Sequence, residues 1–131
     1  MQGGTARDRE TPREMIRADK GEKLWVLLNP VKADKLDQHE HFVFDILMPA
    51  VKAADPVAYR HVRYLHPSGK DKDGNYTSFW LMDPLVEGTE YDILKILQEV
   101  YGKEQAQEYL DLWESSLAGS QRGYEVVQSE W

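Results

Sequence analysis

His39, His41, His61 and His66 are the side chains of this sequence best matched to proton transfer near neutrality, because an unperturbed imidazole titrates at about 6.5. Their spacing decides what they can share. His39 and His41 stand two apart on a helical stretch, so their side chains point roughly 200° apart and cannot chelate one ion. One reads as a boundary residue and the other as a solvated one. His61 and His66 lie on what reads as a strand, facing opposite sides, which leaves each a lone acid or base. Cysteine is absent, which excludes thiolate metal sites, iron–sulfur clusters, disulfides and cysteine nucleophiles. The expectation is a chain without metal, haem or other cofactor.

Other candidate motifs reduce to plainer readings. Asp71, Asp73 and Asn75 around Gly74 resemble the start of a calcium loop, but the bidentate Glu required at loop position twelve is replaced by Met82. Asn75-Tyr76-Thr77 matches a glycosylation sequon without a secretory signal before it. No phosphate-binding glycine loop, Gly-x-Ser-x-Gly elbow or His-Glu-x-x-His motif occurs. Glu99, Glu104, Glu108, Asp111 and Glu114 read as the solvated face of a helix. The aromatics Trp25, Tyr59, Tyr64, Phe79, Trp80, Trp113 and Tyr124 are many for a small domain. They suit a core and a subunit interface, or an apolar pocket with a few orienting polar groups.

Those residues must be positioned by elements that the sequence pattern delimits. Residues 1–22 are charge-mixed and nearly devoid of apolar content before Met15 and Ile16. Within them, Thr11-Pro12-Arg13-Glu14 carries a capping box and an N1 proline, predicting a short helix over 12–20 that Gly21 stops. Leu24–Leu28 is a strand-length apolar run ended by Asn29-Pro30, and apolarity at every position implies burial on both faces. Asp34 opens a helix through Ala54, with Pro49 forcing a kink or restart near Ile46–Met48. Tyr59–His66 reads as a strand, Pro67–Asn75 as a loop and Tyr76–Met82 as a second strand of a hairpin. A second helical region follows Thr89, interrupted at Gly102 and closed at Gly119, and Tyr124–Trp131 is the last strand.

Composition limits the partners. A chain of 131 residues is one domain's worth, here an arm over 1–22 and a domain over 23–131. Its 41% apolar content excludes wholesale disorder. A net charge of −7 argues against nucleic acid or an anionic membrane as a partner. No apolar run approaches membrane-spanning length, so the expected location is cytoplasmic.

The order β-α-β-β-α-β is the ferredoxin-like arrangement of the α+β class: a four-stranded antiparallel sheet with both helices on one face. The second face should then be polar in a monomer, yet Leu24–Leu28, Tyr76–Met82 and Val126-Val127 supply large apolar groups to both. The expectation is a homodimer with sheets packed face to face. With this order, the two-sided strands and Pro49 in the first helix, residues 23–131 resemble the dimeric α+β barrel superfamily. Its members include cofactor-independent antibiotic-biosynthesis monooxygenases, haem-degrading monooxygenases, EthD-like and NIPSNAP-like proteins. Asn29 and Trp80 resemble two positions of the haem-degrading pattern, but no histidine follows between Glu90 and Ala118 to serve as the axial ligand. The EthD-like histidine before the helix-one proline is Leu47 here. The resemblance implies a small apolar or aromatic ligand, with cofactor-independent oxygenase or isomerase chemistry. The alternative is a non-enzymatic structural or ligand-sensing dimer. A pocket would lie between helices and sheet, lined by Tyr64 and His66, walled by Trp80 and Trp25, with Asn29 and His61 as further polar contacts. His66 is the expected proton-transfer group.

Overall fold

The computed structural model describes residues 16–130. Four strands, β1 (Lys23–Val31), β2 (Val62–Leu65), β3 (Tyr76–Met82) and β4 (Arg122–Val127), form one sheet in the order β2-β3-β1-β4. All three pairings are antiparallel. The expected ferredoxin-like α+β architecture is therefore present, with helices covering one face.

Strand alternation sorts the side chains. Trp25, Leu27, Asn29 and Val31 of β1 share the helix-covered face with Val62 and Tyr64 of β2 and with Ser78, Trp80 and Met82 of β3. Leu24, Val26 and Leu28 share the open face with Phe79, Leu81, Leu65, Tyr124 and Val126. Leu65, Tyr124 and Val126 there are 41–47% exposed, a large apolar surface with no cover from the described residues. Arg63 also lies on that side, where its guanidinium pairs with the buried carboxylate of Asp83.

Strand β1 runs on through Asn29-Pro30, beyond the expected stop. The Pro30 carbonyl accepts from the Ala118 N–H at 2.8 Å, so its backbone faces the β4 side, where the regular pairing has already ended at Leu28–Arg122. The missing proline N–H therefore costs no bond to β3. On β4 the glycine at 123 faces Leu27, and a Cβ there would lie 2.9 Å from Leu27 Cδ2. A side chain at 123 would displace the tip of Leu27, one of the residues lining the site described below.

The first helical region is three pieces. Helix α1 (Leu36–His41) widens into a π-helical stretch, Phe42–Leu47, and helix α2 (Met48–Ala54) restarts with Pro49 in its first turn. Pro49 has no N–H for the Asp45 carbonyl, and the restart falls where the sequence places it. The Ile46 carbonyl in this stretch accepts the Tyr101 hydroxyl at 2.8 Å.

Residues 56–61 correct the expectation of a strand from Tyr59. Asp55-Pro56 ends α2 and at once begins helix α3 (Pro56–His61), with Pro56 in the first turn and Asp55 Oδ1 accepting from the Ala58 N–H at 3.0 Å. Only Val62–Leu65 is extended, so His61 sits on a helix end rather than on a strand. Helices α4 (Ile93–Tyr101) and α5 (Lys103–Ser116) are separated by Gly102 at φ +85°, a left-handed conformation that glycine adopts without strain. Asp92 caps α4. Helix α5 ends at Ser116, short of the expected Gly119, and the last strand begins at Arg122 and stops at Val127.

The expected helix over 12–20 lies mostly outside the described residues. Residues 16–19 are not helical; the fully buried Ala18 instead donates its N–H to Asp83 Oδ1 at 2.6 Å. The core fills the space between sheet and helices, with Phe42, Val43 and Leu97 fully buried beside Trp80, Met82 and Trp113. Among the described residues no helix is long and apolar enough to cross a membrane.

Candidate functional site

Three groupings of polar side chains border the helix-covered face. The first is a buried seam at one end of the sheet. His39 of α1, Ser78 of β3, Ser116 of α5 and Asn29 of β1 are all fully buried, whereas the sequence placed His39 at a boundary. Ser116 donates its hydroxyl to the Trp113 carbonyl at 2.6 Å. Its oxygen is then the acceptor for His39 Nδ1–H at 3.0 Å, which leaves Nε2 to accept from Ser78 at 3.2 Å. Burial lowers the His39 pKa from 6.5 to about 4, against an opposing pull from Glu40. The imidazole is neutral at physiological pH. The amide of Asn29, opposite Ser78 in register, finds no hydrogen-bond partner among the described residues.

The second grouping brings two expected site residues together. Tyr64 donates its hydroxyl to Glu40 Oε2 at 2.9 Å, and His66 Nδ1 lies 2.5 Å from the same oxygen. The His66 side chain is 61% exposed while that of Glu40 is 17% exposed. Burial raises the Tyr64 phenol well above its ordinary range, and the Glu40 charge adds to the effect, so Tyr64 acts as a hydrogen-bond donor. Glu40 thus engages the phenol of Tyr64 and Nδ1 of His66 at one oxygen.

The third grouping is a cleft between the sheet and helices α2, α3 and α4. It encloses about 620 Å³ counting its open mouth. The sheet contributes Leu27, Val62, Trp80 and Met82; the helices contribute Leu47, Val51, Ala54, Ala58, Ile93 and Ile96. The polar groups Asp55, Thr89, Glu90, Tyr91 and Gln121 also line it. The Asp55–Thr89 bond closes part of the rim: Thr89 Oγ1 donates to Asp55 Oδ2 at 3.0 Å. The Ala58 N–H first, and then the Thr89 hydroxyl, hold the Asp55 carboxyl below its ordinary pKa. Tyr91 accepts the Val86 N–H at 3.0 Å; burial raises its pKa, with a contribution from the Asp55 charge.

The expected site residues are therefore divided among these places. Trp80 lines the cleft. Trp25 packs its ring 5.2 Å from that of Tyr91 and donates Nε1–H to Glu125 at 3.0 Å, standing behind the rim. Tyr64 and His66 meet at Glu40, on the far side of Trp80, whose ring lies 5.2 Å from that of Tyr64. Asn29 belongs to the buried seam. His61 ends α3 with a buried Nδ1 that has no partner among the described residues. His41 is exposed and pairs with Asp45 at 2.8 Å. Sequence reasoning missed Asp55, Thr89, Tyr91 and Gln121; of these only Asp55 carried a signal, as the cap before Pro56. No cluster of three or more His, Asp or Glu side chains is placed to hold a metal ion among the described residues.

No protein-family model matches the chain, and no curated protein matches it. Among solved structures the chain is similar to three proteins, each described as a putative antibiotic biosynthesis monooxygenase. The one from Caulobacter crescentus CB15 is 19% identical, with 85% of this chain and 92% of that chain covered and a TM-score of 0.47. The one from Bordetella bronchiseptica is 12% identical, with 85% and 100% covered and a TM-score of 0.39. The one from Nitrosomonas europaea is 13% identical, with 86% and 95% covered and a TM-score of 0.35.

Proposed function

We propose that the cleft binds a small molecule with an apolar or aromatic body, and that two copies of the chain pair through their open sheet faces. The observation that carries the first part is the composition of the cleft: ten apolar or aromatic side chains from sheet and helices around a small polar set. Ligand sites combine an apolar lining with few orienting polar groups in this way. The neutral fluorophore N-phenyl-1-naphthylamine should bind wild-type protein with micromolar affinity. Ala54→Trp, which fills the cleft from the half-buried start of its rim, should weaken that binding at least roughly 10-fold while the protein stays folded by circular dichroism. Equal binding by both proteins would refute the assignment.

The dimer rests on the apolar open face, because soluble monomers rarely expose a contiguous patch of this kind. Pairing of the same face about a two-fold axis is the simplest cover. Light scattering should give twice the chain mass of 15.2 kDa, and Val26→Asp should reduce it to one chain. A stable single-chain species of wild-type protein at micromolar concentration would overturn this part.

A cofactor-independent oxygenase or isomerase is a second reading, placed not in the cleft but at the group on the far side of Trp80, where Glu40 holds both His66 and Tyr64. It expects oxygen uptake with 1-naphthol that falls in His66→Ala; no difference between the two proteins counts against that assignment.

A further inference from the structure

The charges around the cleft are one-sided. Asp55 and Glu90 are its only ionisable side chains other than Tyr91, and no lysine, arginine or histidine lines it among the described residues. Lys95 reaches Glu90 at 3.6 Å, but both side chains are more than half exposed, so this pair is solvent-screened and weak. The Asp55 carboxylate differs. Its donors are uncharged: the Ala58 N–H and the Thr89 hydroxyl, with a weaker contribution from the Val57 N–H. A carboxylate has about four acceptor sites, so these neutral donors leave capacity for another and none of them neutralises the charge. Its charge also reaches across the rim, since it adds to the upward shift of the Tyr91 phenol.

The same lining holds two aromatic rings, Trp80 and Tyr91, and the Tyr91 phenol lies close enough to the carboxylate to feel its charge. An aromatic face attracts a cation and repels an anion through its quadrupole. An apolar floor, aromatic walls and an anionic rim together fit an organic ammonium ion. We propose that the cleft selects a ligand whose apolar or aromatic body carries a protonated amine, the amine held at the rim by Asp55. This deepens the reading of the cleft as a ligand site and rests on it. It also excludes a class: a carboxylate or sulfonate on the ligand would meet two like charges and no counter-ion from the lining.

The test uses three probes of one shape and different charge: 1-naphthylmethylammonium, 1-naphthylmethanol and 1-naphthoate, each displacing N-phenyl-1-naphthylamine from wild-type protein. The expected order is ammonium, then alcohol, then carboxylate, with about 10-fold or more between the first and last at low salt and a smaller spread at high salt. Asp55→Asn keeps a good N-cap residue and should cost the ammonium roughly 5-fold while leaving the alcohol unchanged. Glu104→Gln removes one charge from an exposed position on α5 and should alter none of the three, which separates the rim from the net charge of −7. Alcohol binding with no preference for the ammonium overturns the charge assignment and leaves the cleft reading intact. A preference that Asp55→Asn does not change, or that Glu104→Gln changes as much, also overturns it. Failure of every probe, the neutral fluorophore included, overturns the cleft reading and the charge assignment with it.

Discussion

Phe42→Ala is expected to lower the unfolding free energy by about 3–5 kcal/mol, the range for deleting a buried phenyl ring from a packed core. Phe42 is fully buried at the start of the π-helical stretch, and its ring centroid lies 6.3 Å from that of Trp113 on α5. Val43, Ile46 and Leu47 from the same stretch are buried around it, so neighbours are tied to several elements at once and can collapse into the gap only partly. Phe44, two residues on, is 53% exposed and meets Tyr64 edge-on at 5.4 Å. Phe44→Ala should therefore cost less than about 1.5 kcal/mol, chiefly the aromatic contact. Urea unfolding with an unchanged slope reads both values. Equal losses for the two variants would mean that the π-helical stretch does not anchor the helices to the sheet.

The strongest sequence signals were those with a single physical cause. β-forming residues after the Asp73-Gly74 turn gave the strand Tyr76–Met82 its bounds, and the pleat's period of two gave its faces. Pro49 marked the helix restart, because one missing N–H disrupts a helix wherever it falls. Two readings failed where one residue has two uses. The strand expected from Tyr59 failed because Asp-Pro can end one helix and begin the next: Asp55 closes α2 and also caps α3. Asn29-Pro30 reads as a strand breaker, yet Pro30 is tolerated because its backbone points beyond the end of β4. The cleft was legible as a place, between helices and sheet, more than as a set of residues. Thr89, Tyr91 and Gln121 come from connecting segments, where no periodicity says which side chain turns inward. His66 and Tyr64 were grouped from strand alternation, but their shared partner Glu40 sits on a helix 24 residues from Tyr64 in sequence, a distance no local pattern spans.

His39 is the other residue whose environment the sequence concealed, and it makes stability depend on pH. Its pKa is lowered from 6.5 to about 4 in the folded chain, first by burial. The folded state thus binds the proton less well than the unfolded state, and stability rises with pH across this interval. The contribution is fully present above about pH 6.5 and is lost as pH falls toward 4, where the folded protein takes up the proton as well. Between pH 7 and pH 5 the expected loss is about 2 kcal/mol from this one group. Two neighbours shape the window: Glu40 opposes the shift by favouring the cation, while Ser78 and Ser116 occupy both ring nitrogens. A charged ring would need to donate from both nitrogens, and Ser116 already accepts one while its own proton is held by the Trp113 carbonyl; only the Ser78 hydroxyl would have to turn. His39→Gln keeps hydrogen-bonding capacity but cannot titrate, so it should flatten the unfolding free energy between pH 7 and pH 5 even if its value at pH 7 is lower. Chemical denaturation of both proteins at pH 7, 6 and 5 measures this, and an equal pH slope in the variant would show that His39 is not the group responsible.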